Sequence, residues 1–340
     1  MCTALSIKTD ALYFGRTLDL DRSYGEEVCV MPRRFPFKFR KMGEASPRFA
    51  IIGMATVVDG VPLFYDGANE HGLCMAGLNF PANAYYPPPA DGKDNVTPFE
   101  FIPWILGGCK TVADAKNMIN RINLVDIQFS KNLPLTPLHW IITDKSRSIV
   151  VEPMKEGLKV YENPTGVMTN NPPFDYHLMN LNNYRRLSVK NGENLFSPAL
   201  ELTNYSGGLG AVGLPGDVSS ASRFVRAAFY AKNSVCDGGE PSSVGQFFHI
   251  LGTVERIRGG CLSDGGKWDT TVYTSCINAE AGRYYYTTYG NRRISCVDMH
   301  KTDLNSAKIA RFPLILTEQI FYQNFAAFNF RTIKSKKTNR

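Results

Sequence analysis

The apolar runs of this chain are short, strand-sized and grouped in blocks, and that constrains its fold more than any other feature. The longest, such as Ile51 to Val58, have the length of one strand. None approaches the ~18–20 residues needed to span a bilayer. Strands are expected over 3–8, 12–18, 27–31, 49–58, 63–66 and 73–79. Thr111 followed by Asp114 reads as a capping box, which starts a helix running to about Arg121. Strands resume over 138–143, 148–152 and 158–161. Helices are expected over 175–187, 222–232 and 244–257, and strands close the chain over 282–289 and 294–298. Blocks of strands separated by blocks of helices predict α+β layers and argue against an alternating parallel sheet. Neither common glycine-rich nucleotide loop is present.

A chain of 340 residues can form two domains or one large sandwich, and no proline- or glycine-rich linker divides it. The net charge of +7 is mostly terminal: the last ten residues carry Arg331, Lys334, Lys336, Lys337 and Arg340 and no acid. The nearly balanced body leaves no broad footprint for nucleic acid. The basic tail reads as a solvated terminus. Lys8, Asp10, Arg16 and Asp19 interrupt any apolar signal region, so no signal peptide is expected. The eight cysteines form no Cys-x-x-Cys pair and no zinc spacing, so free thiols in a reducing compartment are expected.

Cys2 follows the initiator methionine. If Met1 is removed, one residue carries a thiol and a free α-amine. Their reference pKa values, about 8.5 and about 7.7–8.0, let the amine accept the thiol proton near neutrality. Such amine-activated terminal nucleophiles perform acyl transfer. The ordinary alternative is that position 2 is simply small. A hairpin of 3–8 with 12–18 would bring Arg16 and Asp19 back toward the level of Cys2, and a guanidinium beside sulfur favours thiolate.

Five short motifs follow in order: Cys2-Thr3; Phe14-Gly15-Arg16-Thr17-Leu18-Asp19; Ala76-Gly77-Leu78-Asn79-Phe80-Pro81; Met168-Thr169-Asn170-Asn171-Pro172; and Gly213-Leu214-Pro215-Gly216-Asp217 with Ala221-Ser222-Arg223-Phe224. Together they resemble the choloylglycine hydrolase family of N-terminal nucleophile hydrolases, which includes conjugated bile salt hydrolases and penicillin V acylases. The resemblance covers roughly residues 2–323. It implies a four-layer αββα sandwich over 2–323, with 324–340 as a C-terminal extension.

The resemblance also implies roles. Cys2 maps onto the nucleophile and Arg16 onto the arginine beside it. Asp19 maps onto the carboxylate that holds the α-amine. Asn79 and Asn170 map onto asparagines around the scissile carbonyl, and Arg223 onto an arginine bracing the centre. Leu18, Val58, Tyr65, Phe129 and Leu133 correspond to pocket-lining positions, where apolar walls suit a steroid face. Taken singly, each has a plainer reading: a strand or turn residue for Arg16 and Asp19, turn asparagines beside proline for Asn79 and Asn170, a helix N-terminal residue for Arg223, and core packing for the five pocket positions. The glycine-dense loop 206–210 is expected to be mobile and to flank the site.

Asparagine at position 79 leans toward the bile salt branch. The implied activity is amide hydrolysis of glycine- or taurine-conjugated bile salts, with transfer to another amine as a side activity. The alternatives are penicillin V acylase or another N-acyl amide hydrolase, a non-catalytic binding relative, and a redox role for the cysteines. The resemblance further implies a homotetramer. The implied chemistry needs no metal or organic cofactor, the balanced charge argues against a nucleic-acid partner, and the absence of a signal fits a bacterial cytoplasmic location.

Overall fold

The computed structural model describes residues 1–323. The extension expected over 324–340, with its basic tail, lies outside the described residues. Two antiparallel sheets stack face to face. The first has the strand order Val167–Met168, Cys2–Lys8, Leu12–Leu20, Thr270–Asn278, Arg283–Thr288, Asn291–Asp298. The second runs Gly157–Glu162, Ser148–Met154, Leu138–Thr143, Cys74–Asn79, Val61–Asn69, Ile51–Val58, Glu27–Met31, Ala310–Pro313. Helices Ser220–Asn233 and Glu240–Gly252 cover the first sheet. Helices Phe101–Gly108 and Val112–Ile119 cover the second. The result is the αββα sandwich.

Strand alternation builds this layering, because successive side chains point to opposite faces. Ile141 and Val150 join the core between the sheets, while Trp140, Ile142, Ile149 and Val151 join the core under the second helix layer. Each such side chain, fully buried, contributes about 1.5–3 kcal/mol. One polar tie crosses the inner core. The Tyr273 and Tyr284 hydroxyls of the first sheet both donate to the Asp66 carboxylate of the second, each at 2.6 Å. Burial pushes the Asp66 carboxyl above its usual range. Close strand packing explains Gly15, where a Cβ would lie 2.0 Å from the Ser275 carbonyl oxygen.

The capping box forms as read: the Thr111 hydroxyl accepts the Asp114 N–H, and the Asp114 carboxylate accepts the Thr111 N–H. Several elements differ from the expectation, three of them in the two sheets and the layers around them. Helix Phe101–Gly108 was not expected, because an eight-residue apolar run carries no periodicity that separates a buried helix from a strand. Strand Thr270–Asn278, the centre of the first sheet, was also not expected. The helix expected over 175–187 is shorter, Phe174–Asn180 followed by the 3-10 turn Leu181–Tyr184.

Candidate active site

Cys2 opens the strand Cys2–Lys8, which pairs with Leu12–Leu20 so that Cys2 faces Leu18 and Ala4 faces Arg16. Residues directly opposite each other share a face of the sheet. The Cys2 thiol, Arg16 and Leu18 therefore project between the sheets, into one cavity. Thr3, Thr17 and Asp19 project the other way, toward the helices. Arg16 is buried, and its Nη1 donates to the carbonyls of Gly77 (2.5 Å) and Tyr65 (3.3 Å). Burial alone would lower the affinity of this guanidinium for its proton. Attraction to Cys2 and to the Asp66 and Asp19 carboxylates outweighs that and holds it firmly cationic.

The structure carries Met1, so the Cys2 nitrogen is a peptide N–H. It donates to Asn170 Oδ1 at 2.8 Å, and not to Asp19. Asn170 does not line the cavity; it grips the Cys2 nitrogen, and its Nδ2 donates to the Asn79 carbonyl at 2.8 Å. The Asp19 carboxylate lies on the helix-side face, where it accepts from Thr271 (2.7 Å) and Thr17 (3.3 Å), with Arg256 Nε at 3.9 Å. Burial raises the Asp19 carboxyl, against the pull of Arg223, the chain's amino terminus, Thr271 and Arg256. The neighbouring Asn171 turns away, donating to Pro81 O at 2.6 Å, which separates it from Asn170.

Arg223 is fully buried and ties these parts together. Nη1 donates to the Cys2 carbonyl (2.5 Å) and Thr3 Oγ1 (2.6 Å), Nη2 to Asn170 Oδ1 (2.9 Å), and Nε to the Val218 carbonyl (3.1 Å). Burial lowers its pKa to about 10. Asn79, half-buried at the end of its strand, lines the cavity beside Cys2.

The cavity is about 340 Å³, within the range of small-molecule sites. Leu18, Tyr65, Phe129 and Leu133 line it, as do Leu20, Phe64 and Leu135. Val58 does not. It ends a hairpin whose turn, Asp59 and Gly60 with φ of 51° and 77°, sets it beyond the wall. The Tyr65 hydroxyl is hydrogen-bonded to Thr56 Oγ1 at 2.8 Å. No residue of the loop 206–210 lines the cavity. Among the described residues, no cluster of three or more His, Cys, Asp or Glu side chains could hold a metal ion, and no helix is long and apolar enough to cross a membrane.

Behind Asn170 sits His177, whose Nε2–H donates to the Asn170 carbonyl at 2.9 Å. Burial lowers its pKa from 6.5 to about 4. The folded protein therefore holds it neutral while the unfolded chain protonates it below pH 6.5. The stability this provides is present above that pH and is lost as pH falls through about 4, a loss of about 3 kcal/mol. Urea unfolding midpoints at pH 7 and pH 4.5 should drop less steeply for His177→Gln than for the wild type.

Sequence reading missed Thr271 and Arg256 as neighbours of the site. Thr271 lies in the unexpected strand, and nothing in residue spacing marks Arg256.

The model of the choloylglycine hydrolase family of linear amide C-N hydrolases matches residues 2–312. This chain belongs to the choloylglycine hydrolase family. It is 49% identical over 324 residues to a bile salt hydrolase/transferase of Lactiplantibacillus plantarum, covering 95% of this chain and 100% of the relative. A solved structure of a conjugated bile acid hydrolase variant from Clostridium perfringens superposes with a TM-score of 0.89 at 39% identity, over 95% of this chain and 100% of that one. A penicillin V acylase structure from Agrobacterium tumefaciens superposes with a TM-score of 0.73 at 20% identity, over 91% of this chain and 90% of that one, and shares the fold. In this chain Cys2, Arg16 and Asn79 line the cavity, and Asn170 and Arg223 lie behind it, hydrogen-bonded to each other, to the Cys2 main chain and to the Asn79 carbonyl.

Proposed function

We propose that this chain hydrolyses the amide bond of glycine- and taurine-conjugated bile salts through an acyl-enzyme on Cys2. The observation that carries the reading is an apolar-walled cavity whose floor presents the Cys2 thiol beside a buried guanidinium. The names of the relatives above point to the same substrates. After Met1 is removed, the Cys2 α-amine takes the thiol proton and the sulfur attacks the amide carbon. The tetrahedral intermediate collapses, the amine returns the proton to the leaving amino acid, and water then releases the free bile acid. A second amine in place of water would give transfer.

Each residue has a role in this scheme. Arg16 supplies positive charge beside the sulfur. Asp19 neutralises the α-ammonium from the helix side. Asn170 and Arg223 fix the Cys2 main chain. Asn79, which lines the cavity beside Cys2, donates to the developing oxyanion. Leu18, Tyr65, Phe129 and Leu133 hold the steroid. Asn79→Ala is expected to lower kcat by about 10²–10³-fold with little change in KM, as loss of one oxyanion donor does. Steady-state kinetics on glycocholate checks this.

The proposal includes one catalytic domain over 2–323 with the extension 324–340, a homotetrameric assembly and a cytoplasmic location. The deciding experiment is an intact mass of the purified protein together with glycine, taurine and phenoxyacetate release from glycocholate, taurocholate and penicillin V. Loss of one methionine with fastest turnover of the bile salts is the expected result. Met1 loss with faster penicillin V cleavage would move the reading to acylase.

A further inference from the structure

Asp19 is held from the strand beside it. Thr271 lies directly opposite Asp19 in the antiparallel pairing, and its hydroxyl donates to Asp19 Oδ1 at 2.7 Å. Thr271 Oγ1 itself accepts the Arg256 main-chain N–H at 2.8 Å, and the Thr271 N–H donates to the Arg256 carbonyl at 3.1 Å. With that N–H on its oxygen, the hydroxyl proton is directed at Asp19. The Arg256 side chain completes the clamp. Its Nε stands 3.9 Å from Asp19 Oδ2 and has no hydrogen-bond partner among the described residues. Its Nη1 pairs with Asp269 at 2.6 Å, and its Nη2 donates at 3.1 Å to the Val218 carbonyl that also receives Arg223 Nε.

A break in strand register makes this contact possible. Two residues apart on a regular strand, Thr271 and Tyr273 would point to the same face. The pairing shifts between them, so Thr271 faces Asp19 on the helix side while Tyr273 faces Leu18 and reaches Asp66 between the sheets. Bulges of this kind re-aim side chains beside active sites.

Resting on the amide hydrolase reading above, we propose that Thr271, locked by Arg256, is a positioning residue that keeps the Asp19 carboxylate ionised and turned to the Cys2 α-ammonium. The charged groups facing Asp19 are Arg223 from helix Ser220–Asn233, Arg256 from the segment after helix Glu240–Gly252 and the chain's amino terminus, while Arg16 of its own strand acts on it from the opposite face. All four are cations, so Asp19 needs a fixed orientation to serve one of them. Without the Thr271 proton it binds its own proton more readily and is free to turn toward the arginines.

The test uses Met1-processed Thr271→Val and Thr271→Ser enzymes. For Thr271→Val, kcat on glycocholate should fall about 10- to 100-fold, the loss expected for one hydrogen bond to a charged group. KM should stay within about threefold, because no substrate contact is removed. The acid limb of the kcat/KM profile should move to higher pH. Thr271→Ser, which keeps the hydroxyl, should restore both. A substrate-free measurement separates this inference from the functional reading. With nitrogen-15 cysteine, the α-amine nitrogen shift of Cys2 is titrated, and its midpoint should fall in Thr271→Val as the ammonium loses its counter-charge. A midpoint that overlays the wild type overturns the proposal. A wild type that cleaves no conjugate overturns the functional reading, and the titration still decides the role of Thr271. Circular dichroism checks folding, and Thr271→Ala takes the place of valine if the valine enzyme does not fold.

Discussion

Cys2→Ser is expected to lower kcat for glycocholate hydrolysis by about 10⁴-fold or more, the usual cost of losing a nucleophile, while the fold survives. The substitution exchanges one atom in a side chain that is 2% exposed and already borders the cavity. Main-chain contacts of residue 2 do not change: its nitrogen still reaches Asn170 and its carbonyl still receives Arg223. Thermal melting should therefore stay within a few degrees of the wild type. The chemistry changes because an α-amine deprotonates a thiol readily near neutrality, whereas an alcohol gives up its proton far less favourably and is the weaker nucleophile in a site set around sulfur. Serine at position 2 with full glycocholate turnover would remove Cys2 from the mechanism altogether. The mass of each protein must show Met1 loss, since a retained methionine locks the nitrogen in a peptide bond and silences the amine regardless of the side chain.

The opening of the chain was legible because it is local. A short turn joins two alternating strands, and pairing then fixes Cys2 opposite Leu18 and Arg16 opposite Ala4. The same alternation explains what the hairpin argument overlooked. Asp19 returns to the level of Cys2 but on the opposite face, so its carboxylate meets Thr271 and Arg256 before it meets the thiol. Asn79, Asn170 and Arg223 come from a strand end, a loop and a helix far apart in sequence. No periodicity links them, and only the family resemblance placed them together. Their hydrogen bonds join Asn170 to the Cys2 nitrogen and to the Asn79 carbonyl. Val58 followed the family pattern by position, but the Asp59-Gly60 turn carries it past the wall. The central strand Thr270–Asn278 escaped notice, and with it the register shift that aims Thr271. A bulge depends on the partner strand, so one strand's residues do not reveal it.

Arg223→Lys is expected to lower kcat about 10²-fold while KM stays within about threefold. The arginine works as a planar fork: one nitrogen serves the Cys2 carbonyl and Thr3, and the other serves Asn170. A lysine presents three donors from a single point and cannot span these acceptors with the same geometry. Asn170 then loses one of the two donors that fix its oxygen, and that oxygen holds the Cys2 nitrogen. A displacement of about 1 Å at a reacting group costs on the order of 10²-fold in rate. The substrate cavity is untouched, because Arg223 does not line it, so binding should persist. The charge is also at risk. Burial already lowers the arginine to about 10. A lysine starts from a lower reference value and is neutralised more easily by the same desolvation. The kcat of Arg223→Lys should therefore decline further as pH rises from neutrality, at lower pH than any loss of this charge in the wild type. A kcat equal to the wild type across that range would mean the fork is only a structural brace.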